Sequence, residues 1–261
     1  MAQGNHLSYF RVPKTQEGLS RSAQQYKTLR LQALQQSPLS FSATYASESA
    51  LPDEYWTSRL SSTESETFIC GSRNDNSVGQ SVEWVAQLTL LGPRTKEQWT
   101  PQPASSDTDD TDDEERWQLL GLYNLPDYRG KGIAKALCLN ALKYLAEERA
   151  GARNVVVRLM VKGTMPEVVL FYEKLGFETV GRCSLADALV ANGERHMLPE
   201  DWRTQDRLTA RGGGMKQEQM LSAPVYIMEK ACIRVAPSTE LMSRRTLTSK
   251  LDIYIARQVR N

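Results

Sequence analysis

The stretch from Gln118 to Leu137, QLLGLYNLPDYRGKGIAKAL, is the part of the chain from which the fold can be argued. It opens as an apolar strand, turns at Pro126, crosses the short loop Arg129-Gly130-Lys131-Gly132-Ile133-Ala134 and continues as an amphipathic helix. A strand that passes through a glycine-containing turn into a helix N-terminus is a general way of holding a pyrophosphate. The turn exposes backbone N–H groups, and the first helical turn adds unpaired N–H groups of its own and the positive end of the helix dipole. Gly130 and Gly132 permit close approach and unusual backbone angles, while Arg129, Lys131 and Lys135 add positive charge.

Arg129, Gly132 and Ala134 form an Arg-x-x-Gly-x-Ala pattern just after a strand end of the form Leu-x-x-x-Pro, Leu122 to Pro126. This resembles the acetyl-coenzyme A signature of the GCN5-related N-acetyltransferases (GNAT), Gln/Arg-x-x-Gly-x-Gly/Ala. Further along, Leu170-Phe-Tyr-Glu-Lys-Leu-Gly-Phe177 resembles the second signature of that family, Leu-Tyr-x-x-x-Gly-Phe. A third segment, ALQQSPLSFSATY from Ala33 to Tyr45, is similar to the Ala-Leu-x-x-x-Pro-x-Ala-Phe run of many members. The signatures stand in the family's order, with a helix and a strand between the first two.

The resemblance implies an α/β fold with a mixed central sheet, splayed at the cofactor site and flanked by helices. Acetyl-CoA would be the co-substrate and a primary amine the acceptor. The pantetheine arm would lie in the split and pair with backbone groups around Leu122, Tyr123 and Asn124, as an added strand does. The pyrophosphate would rest on Arg129 to Ala134, including Gly130, Lys131, Gly132 and Ile133, with Lys135 adding charge. Tyr172 is the position at which family members commonly place a general acid, and a phenol with pKa near 10 is protonated at neutral pH. A lysine-like amine, by contrast, is neutral in only about one molecule in 2,500 at pH 7, a penalty of roughly 4.6 kcal/mol. A base is therefore expected, and Glu83 and Glu115 both stand where one could act; neither is preferred.

The chain departs from the family pattern in places. Asn124 stands where many members have Val, Met165 where many have an Asn that helps to hold the pantetheine arm, and Val168 where Ala is common. The loss of that Asn implies weaker binding or a different acyl group and leaves the pyrophosphate signature intact.

Outward from these motifs, Leu7 to Val12 reads as a first strand and Ser20 to Gln36 as a helix ended by Ser37-Pro38. Residues 53–60 read as a second helix, and Thr67 to Gly71 with Val82 to Leu91 as a hairpin. Residues 92–116 carry three prolines and a run of acidic residues without an apolar period, and read as a disordered acidic insertion. The helix after the glycine loop runs to Glu148, followed by a buried strand from Asn154 to Val161. Pro166 begins a helix to Leu175, and Phe177 to Val180 is a further strand. Residues 181–223 read as a second insertion with a short helix at Leu185 to Val190, and Pro224 to Ile233 as the last strand. This gives one acetyltransferase domain over residues 1–233 and a tail over 234–261 that can form a basic helix from Ser238 to Arg257.

A chain of 261 residues with a net charge of +1 has no broad electrostatic attraction for nucleic acid or a membrane surface. MAQGNHLSYF lacks the basic and apolar pattern of a signal peptide, and the four scattered cysteines form no metal or redox pair, so an intracellular protein, cytoplasmic or nuclear, is expected. Ser184, Asp187 and His196 lack the Gly-x-Ser-x-Gly turn of a hydrolase triad. Two other functions fit the same residues: a non-catalytic acyl-CoA-binding module of the same fold, and an interaction protein that uses its acidic loop. Small amines, lysine side chains and protein N-termini fit equally as acceptors.

Overall fold

The computed structural model describes residues 5–41, 43–74, 82–99, 114–195, 198, 200 and 224–234. Seven strands form one mixed sheet in the order β1-β2-β3-β4-β5-β7-β6. β1 (Asn5–Arg11), β2 (Ser65–Asn74), β3 (Glu83–Leu91) and β4 (Glu114–Asn124) run antiparallel to one another in succession. β5 (Asn154–Lys162) is parallel to β4, and β7 (Pro224–Ile233) is antiparallel to both β5 and β6 (Glu178–Ser184). A parallel neighbour cannot be reached by a tight turn. The crossover from β4 to β5 is made by α5 (Ile133–Lys143), which packs on β2, β3 and β4.

α1 (Gln16–Gln36) buries Leu19, Ala23, Tyr26, Leu29, Ala33 and Leu34, a stripe at helical spacing that packs on α3 (Asp53–Ser61) and β3. It begins four residues before the Ser20 start that the sequence suggests, and ends where Ser37-Pro38 stops it. Between α1 and α3, Thr44 and Ser47 form a capping box that starts the short α2 (Tyr45–Ser49), which the sequence pattern did not announce. Trp84 to Leu88 of β3 are consecutively buried, so both faces of the strand are covered, in contrast to the alternation of a half-solvated strand.

The first insertion is shorter than its composition suggests. Glu114 to Arg116 belong to β4, and the segment 92–99 is anchored through Gly92, which is buried, and through the half-buried Arg94 and Trp99. The Arg94 N–H donates to the Arg116 carbonyl at 2.7 Å, and Trp99, at the end of α4 (Lys96–Trp99), stacks on the Arg158 guanidinium at 3.7 Å. Residues 100–113 lie outside the described residues. The second insertion likewise begins later than expected, because residues 181–184 continue β6 in register with β7. α7 (Leu185–Ala191) follows, on the segment expected to be helical, and residues 201–223 are outside the described residues.

Arg234, placed in the tail by sequence, is buried and donates to the Leu145 and Ala152 carbonyls and to Glu115. The tail helix expected from Ser238 lies outside the described residues.

Candidate active site

β4 and β5 pair only from Glu114 opposite Asn154 to Gln118 opposite Arg158. Beyond that point β4 stays on β3, and β5 stays on β7 as far as Lys162. Two strand edges therefore face each other without a shared ladder, and backbone groups at such edges seek a partner. A cavity of about 500 Å³ occupies the opening, lined by Leu119–Asn124 on one side and Leu159–Lys162 on the other.

The register explains the divergence. Thr89 faces Leu120 and Gln87 faces Tyr123, so two steps along β3 are matched by three along β4. The extra residue is a bulge, and Gly121, at φ 61°, takes the left-handed conformation that such a bulge favours. A bulge bends its strand and increases the local twist, which carries the end of β4 away from β5.

After a tight turn at Pro126–Tyr128 the chain reaches the glycine loop. Gly130 and Gly132 have φ of 72° and 75°, and a Cβ built on either meets nothing within 4 Å. Gly132 is the N-cap of α5; its carbonyl accepts from Ala136 N–H at 3.0 Å, and no side chain caps the helix. The first turn of α5 contains no acidic residue. The result is an open cradle at a positive helix end, with the geometry to receive a phosphate.

Arg129 turns back from this cradle. Its guanidinium donates to Ser37 Oγ at 2.8 Å, the Tyr123 hydroxyl at 3.4 Å and the Asn124 carbonyl at 3.3 Å, and it stacks over the Tyr123 ring. It thus clamps the loop to the end of β4 and to the C-terminal end of α1. Leu122, Tyr123, Asn124, Arg129, Gly130 and Ala134 line the cavity. Lys131, Gly132 and Lys135 are exposed on the loop and first turn, with Lys131 Nζ 5.1 Å from the Tyr128 ring centre, and Ile133 is buried in the core.

Tyr172 lies on α6 (Pro166–Glu173), 6% exposed and in edge contact with Phe171 and Phe177. It lines the same cavity. Burial, and to a lesser extent the neighbouring Cys138, push its phenol pKa far above the ordinary 10. Burial also pushes the Cys138 thiol up to about 12.

The two carboxylates named from sequence lie elsewhere. Burial tends to raise the Glu115 pKa, but hydrogen bonds from Trp117 Nε1, Arg234 and Arg149 outweigh it and hold the group below the usual carboxylate range. Glu83 is exposed and accepts a hydrogen bond from the Tyr128 hydroxyl at 3.3 Å. Neither lines the cavity.

Sequence reasoning missed Gln87. It is 2% exposed in the middle of β3, lines the cavity, and its Oε1 has no hydrogen-bond partner. The signal was a lone amide inside the apolar run Trp84 to Leu91, since a buried polar side chain normally has a partner. Asn124 Oδ1 and Asn192 Oδ1 are orphaned in the same way and line the same cavity. Met165, which stands where the family pattern has an amide, puts a thioether in the wall.

A second cavity of about 610 Å³ adjoins the first. Thr44, Ser47, Ser58 and Thr67 contribute hydroxyl groups to its wall. Ala43, Arg59, Thr89, Leu120, Asn192 and Glu194 line both cavities, so the two meet at these residues. Nearby, Arg30 and Glu48 form a buried two-point ion pair at 2.8 and 2.6 Å.

Comparison with known sequences gives a match between residues 104–179 and the acetyltransferase (GNAT) domain family, a span that includes β4, the glycine loop, α5, β5 and α6. That span is similar to the GNAT acetyltransferase domain. No curated protein sequence matches it. Among solved structures, a GNAT-family acetyltransferase from Streptococcus pneumoniae aligns over 87% of this chain and 100% of its own, at 13% identity and a TM-score of 0.51, which shows the GNAT fold. Arabidopsis thaliana NAA60, crystallised with a bisubstrate analogue, aligns over 86% of this chain and 99% of its own at 15% identity and a TM-score of 0.49. An aminoglycoside 6'-acetyltransferase type Ii aligns over 88% and 99% at 16% identity and a TM-score of 0.48. Among the described residues of the GNAT fold, no helix is long and apolar enough to cross a membrane, and no group of three or more His, Cys, Asp or Glu is placed to hold a metal.

Proposed function

We propose that this protein transfers an acetyl group from acetyl-CoA directly to a primary amine. The observation that carries this reading is the continuity of one cavity, from the uncapped N-terminal side of α5 through the opening between β4 and β5 to Tyr172. The fit to the co-substrate is chemical as well as spatial. The free edge around Leu122 to Asn124 suits an extended chain carrying amides, and the orphaned Gln87 Oε1 and Asn124 Oδ1 suit its N–H groups. The N–H groups of Gly130 to Ala134 suit a pyrophosphate, with Lys131 and Lys135 adding charge at the cradle's rim. Arg129 acts by holding the loop in place.

Tyr172 supplies the proton that the departing thiolate needs. Its raised pKa keeps the phenol protonated at any working pH. Full transfer to a thiolate of pKa near 8.5 is then uphill by more than about 1.5 pKa units, or about 2 kcal/mol, so hydrogen bonding to the developing charge carries much of the effect. Direct transfer is favoured because none of the four cysteines lines either cavity and burial raises the thiol pKa of each. The acyltransferase domain comprises residues 1–234, with the remaining residues as a tail.

Thiol release from acetyl-CoA, followed with a panel of primary amines and compared with direct calorimetric binding of acetyl-CoA, tests this. Binding together with amine-dependent thiol release is expected. Binding without release by any amine would identify a carrier module of the same fold, and absence of binding would overturn the reading altogether.

A further inference from the structure

We propose that Gln87 holds the acceptor nitrogen against the thioester, and that its amide oxygen makes the protein selective for primary over secondary amines. This rests on the acetyl-transfer reading of the same site. Gln87 stands in the middle of β3, 2% exposed, between the fully buried Ala86 and Leu88, and lines the co-substrate cavity. Its Oε1 has no hydrogen-bond partner. An unpaired buried acceptor destabilises a fold, and a ligand that brings an N–H group satisfies it.

The amide is placed where the gap opens. Gln87 faces Tyr123 across the β3–β4 ladder, and the bulge at Gly121 lies between that pair and Thr89 opposite Leu120. A Cβ built on Gly121 would meet Gln87 Nε2 at 3.9 Å, so the amide lies against the one residue of the bulge that has no side chain. Just before it, at Gln118, β4 makes its last pair with β5. β3 is one strand behind the free edge of β4, which stays open to the pantetheine arm. Tyr172, the proton donor to the sulfur, lines the same cavity.

A carbonyl oxygen has two lone pairs. One accepts an amide N–H of the co-substrate, and the other is left for an N–H of the attacking amine. The amide oxygen accepts that hydrogen bond without taking the proton, and this sets the acceptor class. The amine arrives neutral, having left its extra proton in solvent. A primary nitrogen then carries two N–H groups. One stays on Gln87 throughout and becomes the N–H of the product amide. The C–N bond forms as the C–S bond breaks, the other N–H proton leaves to solvent, the thiolate takes the phenol proton of Tyr172, and solvent restores the phenol. One neutral amine and one thioester yield one amide and one thiol. A secondary amine has a single N–H, and that proton has to leave for the amide to form. Its hold on Gln87 is therefore lost in the step that needs it.

The test compares wild type with Gln87→Met, unbranched and without the amide, and with Gln87→Asn, which keeps the amide but withdraws it by one methylene. Thiol release is followed with a panel of primary amines that includes 2-aminoethanol and a free-amino tetrapeptide, each set against its N-methyl derivative. Calorimetric binding of acetyl-CoA and Tm are measured alongside. Both variants should lower kcat/KM for primary amines about tenfold, the upper end of what one neutral hydrogen bond contributes, and leave the N-methyl amines within about twofold. The preference for primary amines should thus fall about fivefold or more. The acetyl-CoA Kd should rise by about two- to tenfold, and Gln87→Met should melt at or above the wild-type Tm, because it removes an unpaired buried group. Unchanged kcat/KM for the primary amines in both variants would overturn the inference and leave acetyl transfer standing. A preference that survives in both variants would trace it to crowding by the methyl group, and weaker acetyl-CoA binding with that preference intact would confine Gln87 to the co-substrate; each overturns the inference. A lower Tm with unaltered amine kinetics would make Gln87 a packing residue and overturn it as well. A wild-type protein that releases no thiol with any primary amine would overturn acetyl transfer and this inference together.

Discussion

Gly132 offers the sharpest test of the glycine loop, because the strain of changing it and the role of the space beside it can be separated. Its φ of 75° and ψ of 0° put it in the left-handed region, and a Cβ there meets nothing within 4 Å. Replacement by Val therefore causes no clash, and the cost to stability is backbone strain alone, about 1–2 kcal/mol. For a domain of this size that lowers Tm by about 2–8 °C. Asn tolerates left-handed angles better than most residues, so Gly132→Asn should melt closer to wild type. Both side chains nonetheless stand in the open face of the cradle and should displace a phosphate from the N–H groups behind it. Loss of one charge-assisted hydrogen bond is worth about 1.5–3 kcal/mol, or roughly 10- to 150-fold in acetyl-CoA Kd. Scanning calorimetry gives the stability term and isothermal titration the affinity. If Gly132→Asn folds with a near-normal Tm and binds acetyl-CoA as tightly as wild type, the phosphate does not sit on this helix end.

Tyr172→Phe should keep the aromatic contacts and acetyl-CoA affinity while turnover falls by about 10²- to 10⁴-fold; near-normal turnover would leave Tyr172 as a packing residue. Burial raises the folded pKa of this phenol far beyond 10. Its contribution to stability is full below the unfolded value near 10 and is lost only as pH climbs beyond it, so an alkaline loss of activity below pH 10 must persist in the Phe variant. Glu115→Gln should cost about 2–4 kcal/mol, because it leaves Arg149 and the buried Arg234 without their carboxylate, and denaturant titration would show it. The folded pKa of Glu115 is depressed, so its contribution is present above the ordinary carboxylate range and lost as pH falls through the lower folded value; the wild-type advantage should shrink in acid. Trp99→Ala should lower Tm through loss of the Arg158 stack, whereas deletion of residues 101–112, acidic and without apolar period in sequence, should leave Tm and turnover unchanged.

Local chemistry made much of this legible. A strand, two glycines and a helix within one short stretch sufficed to place the cradle, because left-handed angles and helix starts are local properties. The strands that read clearly were the runs rich in β-branched and apolar residues, such as Asn154 to Val161. Glu114 to Arg116 and Trp99 were hidden because their order depends on remote partners: Arg149 and Arg234 for Glu115, and Arg158 for Trp99. Composition averaged over the acidic run masked these anchors at its two ends. Gln87 was harder still, since it lies in no signature and gains meaning only where cavity walls from separate elements converge. The direction of Arg129 was not legible, since it depends on Ser37, far away in sequence.

The opening between β4 and β5 also has a mechanical consequence. The sheet consists of two rafts, β1 to β4 and β5 to β6, stitched together by a seam of five residue pairs. A molecule lying in the gap lengthens that seam and acts as an eighth strand. Binding should then stiffen the joint between the rafts, through backbone hydrogen bonds that the chain by itself does not make there. Amide hydrogens along Leu119 to Asn124 that face the gap should exchange with solvent far faster than those facing β3. On addition of acetyl-CoA that difference should narrow, while the amides at the seam itself, Glu114 to Gln118, stay slow in both states.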